Sequence, residues 1–289
     1  MAPPTANLFL VGAPRAGTSS LFEYLSRHSA IFGPAEKEPH HYDADVLDGR
    51  APMPVDEYRA LYAAATRERW LLDASALYLY SARALEAVSS IPGSQVVISL
   101  RDPIEQMASW HGLMVATGSE PYASLEAALA AETPNGPFER RYSEIARYSP
   151  YVERWLERLG PGRVHVVVFE ELTGGRSERT CRELLEGLGL DASGLGSFPH
   201  VNTYRRPAPL RLTGSASLTR LARALLPRRV RRTLWSKANA AMTPHATRPP
   251  VPDELRSRLR RDFDADVRRL ESLLGRDLRA LWLGQQPRS

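Results

Sequence analysis

The sequence holds a single cysteine, Cys181, which excludes an intrachain disulfide and a cysteine-built metal site. Lysine is almost missing as well. It occurs only at positions 37 and 237, and every other basic side chain is an arginine, the better residue for bidentate contact with phosphate or sulfate. No apolar run approaches the ~20 residues of a membrane-spanning helix. The first residues lack the charged start of a secretory signal, so the expected compartment is the cytoplasm. Repeats and low-complexity tracts are absent, which excludes solenoids and disordered tails. The formal charge of +5 is too modest to demand a nucleic-acid partner, though it permits an anionic ligand. What remains is globular: 43% hydrophobic and 25% charged over 289 residues, enough to bury a good core.

The most informative stretch comes almost first. Leu8-Phe9-Leu10-Val11 reads as a buried strand, Gly12 to Gly17 as a tight turn, and Leu21, Phe22 and Leu25 as one face of a helix running from about Gly17 to Arg27. Strand, glycine-bounded turn and helix start bring backbone N–H groups and the helix dipole to one point, a device for holding phosphate. The G-x-x-x-x-G spacing matches the opening of a nucleotide-triphosphate loop, but Thr18 stands where that loop needs lysine. The cation lies inside the turn instead, at Arg15, beside Pro14 and Ala16, with hydroxyls at Thr18, Ser19 and Ser20. Such a site suits a donor that leaves a phosphate behind; a plain strand-to-helix turn is the bland alternative.

Further along, Glu36-Lys37-Glu38-Pro39-His40-His41-Tyr42 packs two carboxylates, a lysine and two imidazoles into a few positions. Pro39 is expected to keep Glu38 extended, so the segment reads as a loop or short edge strand. Residues 43–54 read as a polar surface loop, and 56–67 as a helix. Trp70 to Asp73 forms a short strand whose terminal carboxylate would suit the magnesium-binding aspartate of a kinase. Gln95 to Leu100 is a β-branched central strand, followed by Arg101-Asp102-Pro103 and a helix bearing Ser109. Pro121–Glu132 and Arg147–Leu159 read as helices, Val164–Phe169 as a second buried strand, and Arg176–Leu188 and Asp253–Leu274 as amphipathic helices. Within the strand, His165 reads as a core or edge histidine, while Glu170 and Glu171 read as structural caps.

Three of these stretches, in this order, resemble the PAPS-dependent sulfotransferases, in particular bacterial members with a heparan-sulfotransferase-like K-E-P-H segment. Gly12, Pro14, Arg15, Gly17, Thr18, Ser19 and Leu21 match their 5′-phosphosulfate loop; Lys37, Glu38, Pro39, His40 and Tyr42 match the segment that bears the catalytic base. Leu100, Arg101, Asp102, Pro103 and Ser109 match the R-x7-S element that grips the 3′-phosphate, with Gln106 in place of a usual arginine. Ala74 stands where heparan-type enzymes often have lysine, which leaves Lys37 as a substitute cation.

The resemblance implies a three-layer α/β fold with a mostly parallel sheet and a P-loop-like turn. It implies one domain over 1–289, with 208–252 a basic lid or acceptor-side insertion. The implied reaction carries a sulfuryl group from PAPS to a hydroxyl, or secondarily an amine, of a carbohydrate, glycolipid or natural product. Adenosine 3′,5′-bisphosphate (PAP) leaves, and no metal is needed. Glu38 would be the base, with His40 and His41 as rivals and with its pKa raised by burial against the pull of Lys37. Arg15, Lys37 and Thr18 would meet the departing charge, Arg101 and Ser109 would hold the nucleotide, and Arg205 or Arg206 would close over it. Acceptor contacts are expected from loops near 43–55, 111–122 and 134–147. A P-loop kinase and a non-catalytic nucleotide-binding module remain the rivals.

Overall fold

In the computed structural model, residues 5–192, 197–198 and 250–284 are described, together with the backbone of 205–206 and 243–244. Five strands form one sheet in the order β2-β3-β1-β4-β5, and every neighbouring pair is parallel. The strands are β1 (Leu8–Gly12), β2 (Ile31–Phe32), β3 (Trp70–Asp73), β4 (Gln95–Leu100) and β5 (Val164–Val168). β1 lies at the centre, and all five of its residues are buried. Its side chains alternate between two cores, as a sheet covered on both faces requires. Leu8 and Leu10 join Leu21 and Leu25 of α1 (Thr18–Leu25) and Leu184 and Leu185 of a late helix, Ser177–Gly187. Phe9 and Val11 face the opposite core, with Trp155, Phe263 and Met107. The three-layer α/β architecture is therefore as expected.

The other α-helices among the described residues are α2 (Val55–Ala60), α3 (Ala82–Ser89), α4 (Pro103–Ala116), α5 (Leu125–Ala130), α6 (Tyr142–Ile145), α7 (Ser149–Leu159), α8 (Phe169–Thr173), α9 (Ser177–Gly187), α10 (Asp253–Leu274) and α11 (Leu278–Trp282). Residues 205–206 and 243–244 pair as a separate antiparallel ribbon. No described helix is long and apolar enough to cross a membrane.

Four expectations need correction. α5 is shorter than 121–132, because the Ser124 hydroxyl accepts the Ala127 N–H and starts the helix there. The second strand stops at Val168, and Phe169 begins α8. The helix expected over 56–67 is only Val55–Ala60, while His165, on the edge strand β5, is half-buried against Gln95 Oε1 at 2.8 Å, in keeping with an edge histidine. The 43–54 loop is no loose surface stretch: Asp43 is fully buried, and Val46, Leu47 and Met53 enter the core.

Strand order fixes where ligands go. The chain leaves β1 for β2 on one side and later returns to place β4 on the other, so the C-terminal ends of β1, β3 and β4 open around a switch point. The turns after these strands carry Arg15, Ala76 and Arg101, and the stretch after β2 carries Glu38.

Candidate active site

α1 begins at Gly17, which has φ 81° and provides no side-chain cap. Its first-turn N–H groups therefore have no intrahelical acceptor and point toward the loop. Only glycine fits there, since a Cβ would lie 2.6 Å from the Phe169 ring. Ala13 N–H donates to Ser99 O at 2.6 Å, and Gln106, fully buried on α4, donates to Pro14 O at 3.0 Å. Gln106 thus fixes the loop's backbone. Arg15 also adopts positive φ, at 65°. Its Nε donates to Ser109 Oγ at 3.0 Å, and its carbonyl accepts from Arg101 Nη1 at 3.2 Å. Arg101 stacks over Phe169 with its guanidinium carbon 4.7 Å from the ring centre. Residues 15, 101 and 109, far apart in sequence, therefore meet.

A cavity of about 370 Å³ opens beside this loop, lined in part by Pro14, Arg15, Gly17, Thr18, Ser19, Lys37, Glu38 and His40. Arg101 and Ser109 stand behind Arg15 and do not line it. Ala16 is wholly buried, its carbonyl accepting from Ser99 Oγ, and Ser20 is buried in the first turn of α1. Only the two-residue backbone is described at Arg205 and Arg206, so the closing role expected of them, like the lid role expected of 208–252, lies outside the described residues.

Glu38 is not extended, despite Pro39: its φ is 58°. The cause lies in the turn after β3. Glu38 N–H donates to Ala74 O at 3.0 Å, while Glu38 Oε2 accepts the Ala76 N–H at 2.8 Å. Both ends of the residue are tied to one turn. Lys37 Nζ meets Glu38 Oε1 at 2.5 Å, and His40 Nε2 lies 3.6 Å from Glu38 Oε2. On its other side, His40 Nδ1 bonds Asp43 Oδ2 at 2.7 Å. The result is a line of charges: Lys37, Glu38, His40 and the buried Asp43.

Electrostatics reverse the expectation for the base. Burial pushes the Glu38 carboxyl up, but the charges of Lys37 and His40 and the bonds from Lys37 and Ala76 outweigh it, holding Glu38 below its ordinary range. Burial likewise pushes His40 down, yet the Asp43 bond and the two flanking carboxylates prevail and raise it. His41 is placed elsewhere. Its Nδ1 bonds Met53 O at 2.6 Å and its ring stacks on Tyr58 at 4.3 Å, which removes it from the cavity.

Asp73 is also not the metal-facing carboxylate of a kinase. It is fully buried, accepting from Ser75 Oγ at 2.8 Å, Tyr58 OH at 2.9 Å and Tyr78 OH at 3.0 Å. Burial pushes it up to about 6. The Tyr78 hydroxyl also accepts the N–H groups of His41 and Tyr42, so Asp73 braces the segment carrying Glu38. A second brace lies behind Arg101: Glu170 accepts Asp102 N–H and Trp282 Nε1–H, each at 3.0 Å. Glu171 pairs with Arg176 and Arg276. Both glutamates thus have the structural roles expected of them.

The cavity is also lined by Ala76, Leu77, Trp110, Leu113 and Met114, and by Arg50 and Glu139. Each of the three segments expected to touch acceptor contributes, although 111–116 is helix α4 and not a loop. Trp110, Ala76 and Leu77 were not foreseen.

The all-parallel five-stranded sheet flanked by helices matches the fold of solved sulfotransferases. The solved sulfotransferase of Alicyclobacillus acidocaldarius is similar over 96% of this chain and 98% of its own, at 24% identity and a TM-score of 0.70. The sulfotransferase domain of the curacin biosynthetic pathway aligns over 66% of this chain and 76% of its own, with 17% identity and a TM-score of 0.47. Mouse sulfotransferase SULT7A1, solved in complex with PAP, aligns over 75% and 62%, with 15% identity and a TM-score of 0.41. No protein-family model and no curated protein matches the chain.

Proposed function

We propose that this chain is a cytoplasmic, single-domain sulfotransferase that moves a sulfuryl group from PAPS to an acceptor hydroxyl. One observation supports the reading: the Arg15 turn, the start of α1 and the side chains of Lys37, Glu38 and His40 line one cavity, with Asp43 bonded to His40 from behind. The donor set suits a phosphosulfate. The first-turn N–H groups, Thr18, Ser19 and Arg15 would hold the 5′-phosphate, and Arg101 and Ser109, both bonded to Arg15, would hold the 3′-phosphate.

In this mechanism Glu38 is ionised at neutral pH and takes the acceptor proton. A carboxylate held below its ordinary range is a weak base, so the proton moves only as the new O–S bond acidifies the hydroxyl. The S–O bond to the 5′-phosphate breaks in line, and its electron pair departs with the bisphosphate. Arg15, the loop N–H groups and the second cavity cation, Lys37, stabilise that charge. His40 is a positioning residue: its protonated form is favoured by Glu38 and Asp43, and in that form it steadies the Glu38 carboxylate.

The test is thermal stabilisation by PAP against ADP and ATP, with and without magnesium. A ligand at ~1,000 times its Kd adds about 4 kcal/mol, several degrees for a chain of this size. A selective, magnesium-independent shift with the bisphosphate is expected. Preference for magnesium-ATP would replace this reading with a kinase.

A further inference from the structure

The acceptor wall has a chemistry of its own. Trp110, Leu113, Met114, Ala76 and Leu77 line the cavity together with Glu38, to which Ala76 is hydrogen-bonded. Trp110 cannot turn away, because it is buried and its Nε1–H donates to Glu139 O at 2.8 Å. The rim charges cancel: Arg50 and Glu139 form a close ion pair, with Glu139 mostly covered and Arg50 half-exposed. Asp48 fixes that pair by accepting the N–H groups of Phe138 and Glu139 at 2.7 and 3.2 Å. Of the other basic groups lining the cavity, Lys37 and His40 lie against Glu38, with His40 also bonded to Asp43, and Arg15 belongs to the turn after β1.

From this wall we infer that the acceptor is a small, uncharged hydroxy compound with a flat or branched apolar body, of the kind represented by a phenol or naphthol, and not a polyanionic glycan. The inference rests on the sulfuryl-transfer reading and narrows its substrate. A cavity of about 370 Å³ is near the small end of ordinary ligand sites and must also admit the sulfuryl end of the donor. An anionic glycan would bring charge against Leu113 and Met114 with no cation on that wall, among the described residues, to receive it. An apolar ring there exchanges water for packed side chains, while its hydroxyl alone needs a polar partner and finds Glu38.

Two measurements on the full chain separate this inference from the reading beneath it. The first is calorimetric binding of 2-naphthol to protein saturated with PAP. Wild type should bind it, and Leu113→Asp should weaken binding ~10-fold or more through loss of the apolar contact. Leu113→Gln serves as a second variant, and unchanged stabilisation by PAP reports that each remains folded. The second is PAPS-dependent sulfation of 2-naphthol, 6-hydroxy-2-naphthoate, methyl glucoside and an N-sulfated heparosan oligosaccharide. 2-Naphthol should exceed the charged and the polyhydroxy acceptors ~100-fold in kcat/KM, the scale of burying a poorly paired polar or charged group. Glu139→Gln, which leaves Arg50 without its carboxylate, should narrow the gap between 2-naphthol and its carboxylate analogue. Failure of PAP to bind would remove the donor site itself. PAP binding without 2-naphthol binding, or preference for the oligosaccharide, would overturn this inference alone.

Discussion

The two walls of the cavity are built by opposite means. The donor wall is largely backbone: a strand end, a glycine-bounded turn and the first turn of α1, all within residues 12–20, locked from behind by Ser99, Gln106 and Phe169. The acceptor wall is side chain, assembled from 50, 76–77, 110–114 and 139, and joined at the rim by one ion pair and one indole hydrogen bond. Backbone can hold one phosphate geometry and little else. A wall of side chains can be recast residue by residue, so on the proposed reading chemistry would be fixed on one side and selectivity on the other.

The comparison breaks first at Glu38, which joins the walls. Glu38→Gln keeps both backbone ties within reach but cannot take a proton, so turnover should fall ~10²–10⁴-fold while stabilisation by PAP persists. Retained turnover, lost instead in His40→Ala, would move the base to the imidazole.

The next largest effect tests the brace under the donor side. The Asp73 carboxyl holds its proton more tightly when folded, at about 6, than its ordinary 3.8. Its contribution to stability is therefore greatest below pH 4 and declines as pH rises through 6, by ~3 kcal/mol. Urea unfolding of wild type and Asp73→Asn across that range should show a free-energy difference that shrinks by about this amount; a constant difference would refute the assignment.

Gly17→Ala should cost ~1–3 kcal/mol through the left-handed backbone and the clash with Phe169, lowering Tm and weakening PAP binding together. A smaller effect is expected at His40. His40→Ala removes a cation that depresses Glu38, so the acid limb of kcat/KM should move to higher pH, as a pH–rate profile will show. The smallest effect is at the rim: Arg50→Ala should change stability by less than ~1 kcal/mol, as expected of a half-exposed pair, with donor binding untouched.

The same contrast explains what could be read before the structure was known. The donor wall was legible because its residues are contiguous and its glycines are needed for backbone shape. The sheet was legible from β1 and β4, whose apolar runs admit few alternatives. Glu38 and His40 stood out as a local cluster, but Asp43 did not, since an aspartate opening a polar stretch looks exposed until Tyr78 and Asp73 draw that stretch inward. The sign of the Glu38 shift was misjudged because sequence shows Lys37 beside it, yet neither the Ala76 N–H nor a charged His40. Trp110, Leu113 and Met114 read as ordinary core spacing on a helix; only the fold reveals that one side of α4 borders a cavity.

The Glu170 brace also bears on the order in which the molecule can mature. The turn behind Arg101 is held by a glutamate whose other oxygen waits for the Trp282 indole, 112 positions further along the chain. On the ribosome, the phosphate turn and its strand emerge early and can condense with β3 and β4. The arginine that steadies Arg15 gains its final support only when the closing helix arrives. A nascent chain would thus hold the turn after β4 loose at one corner until residue 282 has been made.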